Sequence, residues 1–400
     1  MTPATFDVAI SEDLRAAAGR ARSRALVAGS AGLIACAAGF FLAPERFFPS
    51  YLFACMFALG LALGCQAVLM LQHVTGGAWG IPIRRSLEAA TRTLPVIALL
   101  FVPLLFGLKT LYEWARPEEV AHDPILTHKA AYLNVPFFLV RAAVCFAAWM
   151  AFMYFLSRWS REQDEGPKPG LTRRLQLLSS AGLVAYGLTI TFFSIDWVMS
   201  LEPHWYSTMY GVLFIAGQSL SGLAFVIALT VVLSRFAPLS QFVKPNHLHD
   251  LGKLMLAFVM FWAYVSFSQY LIIWSGNLPE EIPWYLRRLH GGWGWFGIAI
   301  VLLHFLLPFL LLLPASANRN PRILVGVAAL IVCMRLVEVF WYVRPATSPP
   351  GHLTLHWMDL AAPVGVLGLW LFLFLGQLLR RPLLPVNDPE FREALEHGAH

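Results

Sequence analysis

The stretch TFFSIDWVMSLEPHWYSTMYG, residues 191–211, ends one long apolar run and begins another, with Asp196, Glu202 and His204 set among aromatic residues at the junction. A carboxylate beside the end of a membrane span is costly and usually has a partner or a wet cavity. Reading this stretch as a turn between two spans decides how the chain on either side is read.

Outward from it, ten apolar runs lie near 25–43, 50–72, 86–108, 131–157, 176–200, 207–233, 251–275, 290–314, 322–343 and 355–379. About 20 such residues cross a ~30 Å hydrocarbon core. The 400 residues are 58% hydrophobic and only 13% charged, which leaves little chain outside the membrane. The expected fold is therefore an all-α integral membrane protein of about ten transmembrane helices. Short connections imply antiparallel neighbours, grouping spans 2–5 and 6–9 as two four-helix bundles with spans 1 and 10 alongside. The divisions are then a tail at 1–24, spans 1–5 at 25–200, spans 6–9 at 201–343, and the last span with its tail at 344–400. A faint echo between WVMSLEPHWY after span 5 and WSGNLPEEIPWY after span 7 is consistent with two related halves.

The run beginning at Ala25 is not a cleavable leader, because nine more spans follow it. Lys and Arg number 20 on the side bearing both chain ends and 7 on the other, at Arg46, Lys109, Arg116, Lys129, Arg287, Arg288 and Arg344. The positive-inside rule makes the basic side, and both ends, cytoplasmic. The net charge of +6 is thus a topology signal and not a reason to invoke nucleic acid. The five cysteines lie inside spans without CxxC or CxxCH spacing, so no iron–sulfur ligand set, covalent haem or disulfide is expected. HVTGGAWGIPIRRSLEAATR, residues 73–92, has three glycines at a span boundary but lacks the strand and spacing of a phosphate loop.

Ionisable groups inside spans mark the chemistry. Span 9 carries Arg335, Glu338 and Tyr342 at i, i+3 and i+7, on one helical face. Span 10 begins with His352, His356 and Asp359 at i, i+4 and i+7, and the tight connection between these spans sets both stripes in the outer half. Asp196 ends span 5 at the same level, where Arg335 is its candidate partner. Arg141 and His304 are read as mid-depth groups, and His73, Glu88, Arg92 and Lys253 as an inner boundary where protons could enter. Ser266, Ser268 and Gln269 load the outer end of span 7 with polarity that an interfacial aromatic belt does not explain, although a belt accounts for some of Trp274, Trp284, Trp293 and Trp295. The set sketches a discontinuous polar line, dense on the outer side, serving a proton path or a quinone contact. Against that stands a plainer reading, in which Arg335–Glu338 and Glu88–Arg92 only join helices and His304 bonds a neighbouring backbone. Haem b is not expected, since His73, His304 and His356 fall at three depths.

HVTGGAWGIPIRRSLE, KAAYLNVPFFLVR, SIDWVMSLEPHWYSTMYG and SFSQYLIIWSGNLPEEIPWYLRR, in this order on ten spans, closely resemble the ActF family, integral membrane components of alternative complex III, a bacterial quinol:cytochrome c oxidoreductase. That family belongs to the NrfD-like, polysulfide-reductase-type membrane subunits, which build two four-helix bundles. The resemblance covers nearly the whole chain. It implies the bacterial inner membrane and a partner set: a multihaem cytochrome c, an iron–sulfur subunit, a second NrfD-like membrane subunit, a monohaem cytochrome c, small membrane subunits and lipid. Haem c and iron–sulfur clusters would sit on those partners, and this chain would hold no metal of its own. The quinone would be menaquinone or ubiquinone. In the family the oxidised quinol is assigned to the sister membrane subunit, which makes a scaffold or proton-conducting role an equal expectation for this chain.

A different class, an independent secondary transporter, would use the same buried charges for ion coupling. It would show inverted repeats with helices broken at mid-membrane, whereas polarity here crowds one half and the repeat is faint. The charge asymmetry predicts that reporter fusions at Pro117 and Glu281 read periplasmic and one at Gly166 cytoplasmic; the reverse pattern would invert every depth assigned above.

Overall fold

The computed structural model describes residues 9–166, 168, 170–349 and 351–397. Among the described residues, ten helices are long and apolar enough to cross a membrane. They are α1 (Glu12–Leu42), α2 (Pro44–Thr75), α3 (Arg84–Leu111), α4 (Val135–Asp164), α5 (Leu171–Leu201), α6 (Tyr210–Leu233), α7 (Pro245–Gly276), α8 (Trp293–Leu312), α9 (Pro321–Thr347) and α10 (Met358–Leu378). Among the described residues there is no strand, so this is an all-α, multi-pass membrane architecture.

Composition decides which helices sit inside. The apolar window of α2 is 100% buried within the protein and that of α6 is 72% buried, against 22% for α8 and 28% for α1. A helix that is apolar all round and free of charge, as α2 is from Phe47 to Gln72, can be central without stranding polar groups. These two inner helices meet almost backbone to backbone: a Cβ on Gly64 would lie 1.9 Å from the Gln218 carbonyl oxygen, and one on Gly222 2.5 Å from the Gly64 carbonyl carbon. The α1–α10 pair uses the same device, with Gly29 and Gly32 against Gly365 and Gly368. Without a hydrophobic drive between helices in lipid, such close contact supplies the packing energy.

The chain departs from the runs read off the sequence in three places. The first helix starts at Glu12, not near Ala25, because Ser11 caps it by accepting the Leu14 amide (3.3 Å) and Glu12 and Asp13 fill the first turn. Helix α3 is broken into short α and 3₁₀ segments around Pro95 and Pro103, each lacking the amide that would continue the ladder. Helix α8 contains a π-helical stretch over Ile300–Leu306, and Pro308 follows it. A proline cannot donate to the carbonyl four residues before it, here that of His304, and a π turn absorbs the mismatch.

The basic side is closed by the chain after α10. Phe391 stacks on Phe242, His247 Nε2 lies 2.9 Å from the Ala394 carbonyl, and Asp388 pairs with Arg84. On the opposite side the two echo segments meet, Trp205 stacking on Trp284 at 5.0 Å and donating to the Glu281 carbonyl (2.9 Å). Glu202 completes that crown by pairing with Arg288 (2.7 Å) and Arg287 (3.3 Å).

The glycine contact generates a prediction. Gly222→Ala forces a methyl into the α2 backbone and should destabilise the protein by about 1–3 kcal/mol, read as a lowered unfolding midpoint in detergent. Gly187→Ala, where a Cβ meets nothing within 4 Å, should leave the midpoint unchanged.

Candidate functional site

The ionisable residues singled out in the sequence do not form one line. They separate into four groups, and no hydrogen bond or ion pair joins one group to another among the described residues.

The first group answers the question raised by Asp196. Arg141 grips it bidentately, Nε to Oδ2 at 2.7 Å and a terminal nitrogen to Oδ1 at 2.9 Å, and also donates to the Tyr132 carbonyl (2.9 Å). The guanidinium lies 3.8 Å from the centroid of the Tyr132 ring and 4.3 Å from that of Phe137. Arg141 is therefore level with Asp196 near one end of α4, not at mid-depth, and Asp196 has no contact with Arg335. Bidentate geometry with aromatic rings against the guanidinium is how a buried arginine is held rigidly, so this pair reads as a clamp between α4 and α5.

Asp359 forms a second group. It accepts from Ser50 Oγ (2.6 Å), pairs with Arg344 (3.0 Å) and accepts the amide of His356, just before its own helix (2.9 Å). His356 contributes that amide while its ring packs beside Trp357. At the basic side, Glu88 is the hub of a third group. It accepts from Ser160 (2.7 Å) and Arg85 (2.9 Å), with Arg381, Arg84 and Arg92 at 3.5, 3.6 and 3.7 Å. His73 is buried nearby with Nε2 unpartnered, and Lys253 is exposed.

The fourth group has the features of a reactive site. In the buried middle of the second half of the chain, Glu338 Oε2 accepts from Arg335 at 2.5 Å, while Oε1 accepts from Trp262 Nε1 (2.9 Å) and Tyr342 Oη (2.7 Å). His304 Nδ1 stands 3.7 Å from Glu338 Oε2, its ring 4.3 Å from that of Trp262, and neither ring nitrogen has a hydrogen-bond partner. The plainer expectation of a histidine bonded to backbone is thus not what is found. The π turn turns this histidine inward, and all five side chains are buried. Gly217 on α6 makes room, since a Cβ there would come within 2.1 Å of the Arg335 guanidinium.

The group backs onto a cleft. A cavity of about 790 Å³ opens between α7 and α8 with α9 behind it, lined by Trp262, Ser266, Gln269, Gly297, Glu338 and Tyr342 together with many apolar side chains. Its rim residues Tyr264, Phe267, Ile298 and Val301 are each at least half exposed on the apolar perimeter, so the opening faces where lipid would lie. Gln269 accepts from Ser207 (3.1 Å) and its amide lies 3.5 Å from Tyr285 Oη, whereas the buried Ser266 hydroxyl has no partner. Burial pushes the Tyr285 hydroxyl up to about 12, so it remains a donor. Ser268 is half-buried and does not line the cleft.

Trp262 and Tyr285 acquire their place only here. A signal for Trp262 existed: it is spaced i, i+4, i+7 with Ser266 and Gln269 and shares one face of α7 with them. No protein-family model matches the chain, and no curated protein matches it significantly.

The buried pair yields a test. Arg335→Met strands Glu338 and should cost about 3–5 kcal/mol of stability, as for a broken buried ion pair. Arg335→Met combined with Glu338→Leu should recover part of that loss in the same unfolding measurement.

Proposed function

We propose that this chain is a membrane subunit of a respiratory quinol-oxidising complex of the alternative complex III type, and that its α7–α8 cleft receives a quinone or quinol ring. The observation that supports this most is the placement of Glu338, a buried carboxylate lining an apolar cleft that opens toward lipid. An isoprenoid quinone is a polar ring on a long apolar tail. It enters from the bilayer, not from water, and sites for such ligands are mostly apolar with a few fixed polar groups.

Within the cleft the residues divide their work. Ser266, Gln269 and Tyr285 offer hydroxyl and amide groups to a ring oxygen, and the aromatic walls orient the ring. Quinol supplies two electrons and two protons when it is oxidised. Glu338 is placed to accept a hydroxyl proton, and His304, 3.7 Å behind it with both nitrogens unengaged, is the next acceptor inward. Electrons leave through haem c and iron–sulfur clusters on partner subunits. In this reading the membrane is the bacterial inner membrane, with both chain ends cytoplasmic. Asp196, Asp359 and Glu88, each tied to arginine, act as structural anchors at the two membrane faces.

The test is quinone titration of the purified chain, read by quenching of tryptophan fluorescence, since Trp262, Trp284 and Trp341 line the cleft. Saturable quenching that Gly297→Leu weakens at least about tenfold supports the site; linear quenching identical in both proteins overturns it. In the assembled complex, Glu338→Gln should lower quinol turnover by roughly 10²-fold, the usual contribution of a positioned acid–base group.

A further inference from the structure

The basic side carries a second cavity that the quinone reading leaves unused. It measures about 290 Å³ and is lined by Arg92 from α3, Arg161 and Asp164 from α4, and Gln377, Arg380 and Arg381 at the end of α10. Four guanidinium groups thus face one space with a single carboxylate, and that carboxylate is already paired with Arg85.

The cations are not consumed by the protein. Arg161 and Arg380 are exposed, and their side chains make no hydrogen bond or ion pair among the described residues. Arg92 donates to the Gln377 carbonyl (3.2 Å), but its other terminal nitrogen is buried without a hydrogen-bond partner, the nearest Glu88 oxygen being 3.7 Å away. Arg381 donates to the Ser157 carbonyl (3.1 Å) and reaches Glu88 at 3.5 Å. Burial first, and then Arg85 and Arg161 against the opposing pull of Glu88, push Arg381 below the usual guanidinium range. Cations crowded to this degree, with donors to spare, lack an anion.

The surroundings identify its source. From the cavity toward the other side, the outward face of α3 presents Pro95, Leu99, Val102 and Phe106, all exposed and spaced i, i+4, i+7, i+11. This stripe suits an acyl chain and would serve no purpose for an ion arriving from water. We propose that the cavity between α3, α4 and α10 binds the phosphate diester of an anionic phospholipid, whose acyl chains lie along the exposed face of α3. Basic pockets between helices at a membrane face are suited to such head groups.

The experiment uses the full-length chain purified in a zwitterionic detergent, with phosphatidylglycerol or phosphatidylcholine added and retained lipid counted by native mass spectrometry. Phosphatidylglycerol should be retained in preference. Arg161→Gln combined with Arg380→Gln should weaken its retention by roughly thirtyfold, from two lost cationic contacts. Neither substituted residue holds another part of the fold, and unchanged unfolding in phosphatidylcholine will establish that the variant is intact. Arg173→Gln with Arg174→Gln, two exposed cations at the start of α5 on the same side, should leave retention unchanged. Three results would overturn the proposal: equal retention of the two lipids, equal loss in both double variants, or displacement of the lipid by inorganic phosphate, which would make the cavity a site for the free ion.

Discussion

A charge inside a membrane protein is tolerated when its counter-charge comes with it, and that requirement organises this fold. Inserting Asp, Arg or Lys at the centre of a span costs about 2.5–3.5 kcal/mol each on insertion scales. Arg335 and Glu338 offset that cost locally, one turn apart on α9, and then recruit Trp262 from α7 and Tyr342 from their own helix to satisfy the second carboxylate oxygen. Arg141 and Asp196 meet across two helices and so hold α4 against α5. Glu88 gathers arginines from α3 and from the chain beyond α10. Each carboxylate thereby also joins elements, Glu338 through Trp262, Asp196 through Arg141 and Glu88 through Arg381, so positions of charge and positions of helix contact coincide.

The central helices solve the complementary problem. α2 carries no charge between Phe47 and Gln72, and its one polar group at mid-length, Gln66, donates to the Trp149 carbonyl (3.1 Å). Freed of counter-charges, α2 and α6 approach through Gly64 and Gly222 until their backbones touch. The buried Arg335–Glu338 group is then displaced to the α7–α9 side, where α8 contacts the rest loosely enough to leave a cleft. A compact centre and an open flank follow from where the glycines and the charges were placed along the chain.

Much of this architecture is legible in the sequence. Ten apolar runs name the ten helices, and the spacing of Arg335, Glu338 and Tyr342 already puts them on one face. The start of α1 is not legible from hydropathy, because SEDLRAAAGRARSR is helical by propensity and capping while lacking an apolar run. The partner of Asp196 is not legible either. Choosing Arg141 over Arg335 requires knowing which helices are neighbours, and both choices satisfy the same rule. The tryptophans divide in a way no pattern announced: Trp274 and Trp295 are 66% and 74% exposed, as belt residues are, whereas Trp284 and Trp293 are buried. The irregular turn at His304 follows from Pro308, since a proline at that offset removes the bond to its carbonyl.

The strap of chain beyond α10 bears on the order of synthesis. Arg84 leaves the ribosome some three hundred residues before Asp388, the carboxylate it pairs with, and Arg381 reaches Glu88 across a similar interval. Until that late segment arrives, the α2–α3 turn presents a surplus of uncompensated guanidinium groups at the membrane surface. Arginine-rich turns resist transfer across a bilayer, and these same arginines later join the ends of the chain. The clasp can close only in a chain whose intervening helices bring Arg84 and Asp388 to the same side.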